Sequence, residues 1–419
     1  MSEAIATSSD TPRRPYALPP ASLRLLAAAL AASFLARLAY VLHSGNAFIY
    51  PDEPLYHEIA LKLLSSGFSP DLLQNREPLY PLLVALVYKI AGTAPMAVKL
   101  LQVGFSAAGA YFVYRTAALL FNGRAALIAL AIAAFYPFSV FYDACLLRES
   151  LLMFLSSGIG FFSLRTAAED GKHCYAAALF TGLAVLTKVV ALFYWPVFVL
   201  LGLLYRKLDL RRAALSTLVF FSVLAPLFLI NYSHTGRLFL VRGQSFNLYQ
   251  SLVLPNEIIG TGAEAAAIAA DPVFAAGKKL PLLEQDKYFS EHTARFIKSH
   301  PLVFIRKTAW KFGKLWRPYP YKGMDYANSW VLLAAISLLS DGWLLPLGLY
   351  AAVKLAGRRR ELFPAYAYVL ILTALYSLSW SQIRYRLPMM PFFILFSAYL
   401  LDKWTGEKEK ATGQPAVRF

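Results

Sequence analysis

An all-α polytopic membrane protein is the fold class this sequence predicts, and three observations predict it. Hydrophobic residues make up 58% of the 419 residues and charged residues only 16%, against roughly 45–50% and 25% in a soluble domain. The mean hydropathy is +0.50, more apolar surface than one soluble globule of this length can hide. The apolar residues also fall in long, nearly uncharged runs. Two cysteines exclude a disulfide scaffold. A net charge of +17 would suggest nucleic acid on a soluble protein. On a chain of this class it predicts basic anchoring loops against anionic lipid and no nucleic-acid partner.

A helix needs about 20 mostly apolar residues to cross a hydrocarbon core of roughly 30 Å. The sequence offers about ten spans, at 23–42, 97–120, 124–142, 149–166, 175–187, 189–205, 213–231, 329–353, 363–380 and 387–402. The fifth is short and is separated from the sixth by little more than Lys188. Residues 1–20, with Arg13 and Arg14, read as a flexible cytoplasmic tail, and 404–419 as a second. The first run has no small-residue cleavage site and reads as an uncleaved span. With the N-terminus inside, every cytoplasmic segment is basic: Arg24; Arg124; Arg165 and Lys172; Arg206 to Arg212; Lys354 and Arg358 to Arg360; Lys403 to Lys410. This alternation requires 78–91 to be a juxtamembrane helix on the outer face rather than a span. The chain then divides into a transmembrane core over 21–231 with a first outer loop at 43–95, an outer-face region of short helices and loops over 232–328, and C-terminal spans over 329–403. No internal repeat is visible.

The first outer loop carries chemistry. In Tyr50-Pro51-Asp52-Glu53-Pro54-Leu55-Tyr56-His57, an acid followed by proline predicts a helix start, with Asp52 or Glu53 at the cap. Leu55, Ile59 and Leu63 then share a face that would rest on the membrane surface. Asp52 has two readings: an N-cap, or a carboxylate at the lipid boundary that serves as a base. Arg76, in Asn75-Arg76-Glu77-Pro78, likewise reads either as a snorkelling side chain with a surface ion pair or as a phosphate grip. Glu53 and His57, at i and i+4, are two ligands for a divalent metal if one binds, although a merely polar helix face is the simpler explanation.

Asp52-Glu53-x-x-Tyr56-x-x-Ile59-Ala60, then Arg76-x-Pro78-Leu79-Tyr80-Pro81, placed after a single N-terminal span, resembles the GT-C superfamily of polyprenyl-phosphate-sugar-dependent glycosyltransferases. The resemblance is to the protein O-mannosyltransferase and aminoarabinose–lipid A transferase branch. Further pieces follow in order: Arg148-Glu149-Ser150, Leu186-Thr187-Lys188, Gly243-Gln244-Ser245, His300-Pro301 and Arg384-Tyr385-Arg386-x-Pro388. The resemblance implies a GT-C-like fold and an enzyme that moves a sugar from a polyprenyl phosphate, such as undecaprenyl phosphate, to an acceptor hydroxyl with inversion. Asp52 would be the general base, with Glu53 beside it binding the acceptor or holding the loop. Arg76, Lys188, Arg242, Arg384 and Arg386 are the candidates to hold the donor phosphate, and Asp143 and Glu149 are the second-loop acids facing the first loop. The acceptor is a glycan, a lipid or a protein, and the setting a bacterial inner membrane with the site toward the periplasm. Asn75 stands where the aminoarabinose enzymes carry an acid, which argues against aminoarabinose as the sugar. The competing reading is a lipid or glycan transporter or flippase without transferase activity, which would place ionisable residues deep in the spans.

Overall fold

The structure, a computed structural model, describes residues 20–412 apart from 74–75, 170, 259–261, 320–329 and 358. The expected N-terminal tail over 1–19, the end of the C-terminal tail from 413, Asn75 and Arg358 lie outside the described residues. Within them every regular element is helical. In chain order these are α1 (Pro20–Ser44), α2 (Glu53–Ser66), α3 (Leu79–Ala91), α4 (Pro95–Leu120), α5 (Gly123–Ala134), α6 (Pro137–Asp143), α7 (Glu149–Ala168), α8 (Cys174–Thr187), α9 (Tyr194–Leu204), α10 (Leu210–Thr235), α11 (Gln244–Val253), α12 (Ala263–Ala270), α13 (Pro272–Lys278), α14 (Leu282–Ser299), α15 (Pro301–Trp316), α16 (Trp330–Leu355), α17 (Phe363–Leu378) and α18 (Met390–Thr412).

Among the described residues, six helices are long and apolar enough to cross a membrane: α1, α4, α7, α10, α16 and α17. A seventh crossing comes from α5 and α6 if the pair, bent by 46°, counts as one span. The chain is thus an integral membrane protein, but the expected count of about ten is not confirmed. The helices at 175–187 and 189–205 are each too short, and α18, which covers most of the expected span at 387–402, is not among the six. At 1.5 Å per residue, the 14 residues of α8 reach only about 21 Å. Composition alone cannot separate a short buried helix from a crossing one. The α3 helix, with 13 residues, is also too short to cross.

The α7 helix is central, buried along most of its length against α4, α8 and α17. The segment that follows α1 folds back on this bundle. Gly67 (φ 75°) ends α2 and Gly92 (φ 86°) ends α3, both in a backbone region that a Cβ disfavours. The face of α2 expected to rest on lipid instead packs on α3: Tyr56, Ile59, Ala60 and Leu63 are buried. Tyr56 meets Tyr80 edge to face at 5.1 Å. Residues 244–316 form short helices around a small aromatic core of Tyr249, Leu254, Phe274 and Phe289. Lys311 ties this region to the bundle by donating to Ser251 Oγ (3.1 Å) and to the carbonyls of Leu378 and Ser379 (both 2.9 Å). Burial, with Lys307 nearby, pushes the Lys311 amine down to about 7.

Candidate active site

Asp52 stands at the N-cap of α2, yet its side chain makes no capping hydrogen bond. Its carboxylate turns across the molecule instead. Arg384 Nη2 donates to Asp52 Oδ2 at 2.8 Å, and Arg76 Nη2 lies 3.8 Å from Oδ1. The two residues that sequence reasoning set together, 24 positions apart, therefore do converge. The Asp52 side chain keeps 30% of its surface exposed and Arg76 28%. Burial pushes the Asp52 carboxyl up, but Arg384, Arg76 and Arg148 together pull it below its ordinary value. It is ionised at neutral pH.

A second layer surrounds this pair. The Arg384 guanidinium lies over the Tyr50 ring at 4.8 Å and over Tyr385 at 5.6 Å, and its Nε is 3.7 Å from Glu149 Oε1. Lys188 Nζ sits over the other aromatic neighbour, the Tyr385 ring, at 4.3 Å. Burial, and then Arg148, lower the Lys188 amine from its usual value. Burial would raise the Tyr385 phenol, but Lys188, Arg384 and Arg148 outweigh it and bring it down. Arg148, at the N-cap of α7, is paired with the buried Glu77. Four cations (Arg76, Arg148, Lys188, Arg384) thus meet three carboxylates (Asp52, Glu77, Glu149), one positive charge in excess. Two buried polar atoms here have no hydrogen-bond partner: Arg384 Nε and Glu149 Oε2. Such atoms are costly unless something else engages them.

The remaining candidates are placed elsewhere. Glu53 is fully buried, and its carboxylate accepts from the backbone N–H groups of Ile49 (2.6 Å), Tyr50 and Leu146 (2.6 Å). It holds the first loop against the second, the other of the two roles open to it. His57 Nδ1 is hydrogen-bonded to Tyr88 Oη at 2.7 Å. The Glu53 carboxylate is taken up by backbone N–H groups, and no group of three or more His, Cys, Asp or Glu side chains among the described residues could hold a metal. Asp143 does not face the first loop. It lies inside the bundle, paired with Arg37 of α1 and accepting from Ser106 and Ser150 (both 2.7 Å). Arg386 points inward to Asp341 of α16 and to the carbonyls of Leu315 and Arg317. Arg242 is paired with the exposed Asp71 at 2.7 Å. Arg384 and Arg386 part company because residues Ile383–Met389 form a 3₁₀ turn, which sends side chains two apart to different faces.

Sequence reasoning passed over the Glu77–Arg148 pair. One signal was available. An arginine at a helix N-cap meets the positive end of the helix dipole and needs an acid to offset it.

With this geometry in hand, comparison with known proteins becomes informative. Residues 75–230 match the family model described as dolichyl-phosphate-mannose-protein mannosyltransferase. That segment holds Arg76, Glu77, Arg148, Glu149 and Lys188 but neither Asp52 nor Arg384. The structure of ArnT from Cupriavidus metallidurans bound to undecaprenyl phosphate superposes with a TM-score of 0.56 at 17% identity, over 94% of this chain and 63% of that one. The fold is that of the GT-C glycosyltransferases. The Archaeoglobus fulgidus oligosaccharyltransferase in the apo form has the same arrangement, with a TM-score of 0.53 and 16% identity over 93% of this chain and 52% of that one. The chain therefore spans under two thirds of the length of the first structure and about half of the second. No curated protein matches it by sequence. The GT-C likeness thus rests on one matched segment and on backbone architecture, and the roles of single residues have to be argued from their own geometry.

Proposed function

We propose that this chain is a glycosyltransferase that takes a sugar from a polyprenyl-phosphate donor and passes it to an acceptor hydroxyl, with inversion, on the periplasmic face of a bacterial inner membrane. One observation carries the reading: a partly exposed, ionised Asp52 held between Arg384 and Arg76, in a cluster with an excess positive charge. The ArnT structure holds undecaprenyl phosphate, which supports a donor of this chemical class. A long polyprenyl tail, at about 0.8 kcal/mol per buried CH₂, does not leave the bilayer, so the enzyme must meet it at the membrane.

In the reaction, Asp52 accepts the proton of the acceptor hydroxyl as that oxygen bonds to the anomeric carbon. The bond from that carbon to the phosphate oxygen breaks, and its electron pair leaves with the polyprenyl phosphate. The departing phosphate gains negative charge and needs cations rather than a proton. Arg76, Arg384 and Lys188 supply them, in a site where such charge–charge contacts are worth more than in water. Arrival of the phosphate also draws Arg384 and Arg76 away from Asp52. That raises the carboxylate's basicity when a proton must be taken.

The test is transfer by the purified protein in proteoliposomes, with undecaprenyl-phosphate-linked sugar as donor and release of undecaprenyl phosphate as readout. Asp52→Asn should insert normally and lose turnover. Transfer by that variant at the wild-type rate would refute the base assignment.

A further inference from the structure

Glu77 and Arg148 grip the peptide groups on either side of Lys188. Glu77 Oε1 accepts from the N–H of Val189 at 3.0 Å, and Arg148 Nη1 donates to the carbonyl of Thr187 at 3.2 Å. The two side chains also pair with each other, and only 10% of the Arg148 side chain and 3% of the Glu77 side chain are exposed. Lys188 between them is extended, with φ −154° and ψ 108°, while the chain is helical before it and turns 3₁₀ after it. A break between two helices strips backbone groups of their in-helix partners. Here two of those groups are taken up by side chains from distant parts of the chain: Glu77 just before α3, and Arg148 at the start of α7.

We propose that Glu77 and Arg148 are positioning residues for Lys188. Together they lock the break in the one conformation that carries the ammonium over the Tyr385 ring and toward the donor phosphate. The inference rests on the reading above that Lys188 faces that phosphate. Being oppositely charged serves a further purpose. Glu77 neutralises Arg148, which would otherwise stand beside Lys188 as an uncompensated like charge. Burial, outweighed by Arg148, Lys188 and the Val189 N–H, leaves the Glu77 carboxyl below its usual range, so the acid is ionised and the pair is charged. An apolar pair could fill the same space but could not hold a carbonyl on one side of Lys188 and an N–H on the other.

The experiment is a double-mutant cycle read as kcat and donor KM with undecaprenyl-phosphate-linked sugar in proteoliposomes. Lys188→Ala should lower kcat/KM by about 10²–10³-fold, the usual cost of losing one charge-stabilising donor. Glu77→Gln should cost roughly 10–100-fold, as supporting residues around other sites do. The two together should be no slower than Lys188→Ala alone, since Glu77 acts through Lys188. Losses that multiply would overturn the positioning role while leaving the donor site intact. A Lys188→Ala enzyme at the wild-type rate would remove the donor-site reading of Lys188, and this inference with it. Glu77→Gln strands the Arg148 charge and can fail to fold, so the cycle is repeated with E77Q/R148M, which removes both charges. That variant should melt near the wild-type temperature, be slow with Lys188 in place, and add nothing to the loss caused by Lys188→Ala. Folding together with wild-type turnover would sink the proposal.

Discussion

Arg37–Asp143 and Arg384–Asp52 are the same chemical pair in two settings. Inside the bundle, the Arg37 side chain is 1% exposed and that of Asp143 is fully buried. Arg37 also donates to Ser33, Ser139 and the carbonyls of Ala133 and Ala134, while Asp143 accepts from Ser106 and Ser150. Arg386–Asp341 is a second buried pair, fully shielded from solvent, with Tyr136 donating to Asp341 at 2.9 Å, although Arg386 Nε there also lacks a hydrogen-bond partner. At the candidate site, Asp52 is 30% exposed and Arg384 12%, and Arg384 Nε and Glu149 Oε2 lack hydrogen-bond partners. The difference teaches that charge in a membrane protein is not itself a sign of function. A sealed pair, out of reach of solvent, holds helices together. A pair that keeps part of its surface exposed can still meet a substrate. The same contrast bears on the transporter reading: Arg37–Asp143 and Arg386–Asp341 are closed on one another inside the bundle, and the buried Lys99 donates to the carbonyls of Gly45 and Ala47.

Substitutions sharpen this contrast, and the largest effect should come from the two aspartates. Asp52→Asn is expected to cut kcat by about 10²–10⁴-fold, the range for a general base, with a smaller loss of thermal stability than the buried pair shows. Asp143→Asn should instead strand Arg37 and cost about 3–5 kcal/mol of stability, read as a lower melting temperature in detergent. A swapped pattern would break the comparison. Next are the arginines two positions apart. Arg384→Met should lose roughly 10²–10³-fold in kcat/KM, whereas Arg386→Met with Asp341→Leu, which removes a whole buried pair, should be neutral or stabilising by about 1–4 kcal/mol. An inactive but well-folded Arg386/Asp341 variant would show that the inner pair reaches the site.

The pH dependence is subtler. The Asp52 pKa in the folded protein lies below its unfolded value. Its contribution to stability is therefore present above the ordinary carboxyl pKa of about 3.9 and is lost as pH falls through the lower folded value. The acid limb of the pH–rate profile should follow the same group. Arg76→Gln should move that limb upward in pH, and a limb that stays put would separate Arg76 from the base. The smallest effect is expected at the Arg242–Asp71 pair. Asp71 is 73% exposed, so Asp71→Asn should change stability by about 0–1 kcal/mol and leave turnover alone.

Much of the fold was legible in the sequence. Long uncharged runs need no tertiary information to be read as helices. The span count was not, because α8 and α9 are apolar without being long. The convergence of Asp52 and Arg76 was legible through an ordered series of motifs. The misplacement of Asp143 and Arg386 has a physical reason. Whether an acid at a span boundary turns outward or inward depends on what faces it, and Arg37, 106 positions from Asp143, gives no local sign of doing so. Glu77 and Arg148, 71 positions apart, escaped for the same reason: each alone resembles an ordinary surface charge.

The brevity of α8 has a consequence for how the lipid is met. Starting from the basic turn around Lys172 and His173, α8 can carry the chain only about 21 Å before the break at Lys188, roughly 9 Å short of a full hydrocarbon core. If α8 starts level with one headgroup plane, the break falls below the other, and a lipid-borne substrate would reach Lys188 most easily where the leaflet is thin. Turnover should then quicken in bilayers built from shorter acyl chains, and a rate indifferent to chain length would remove this consequence.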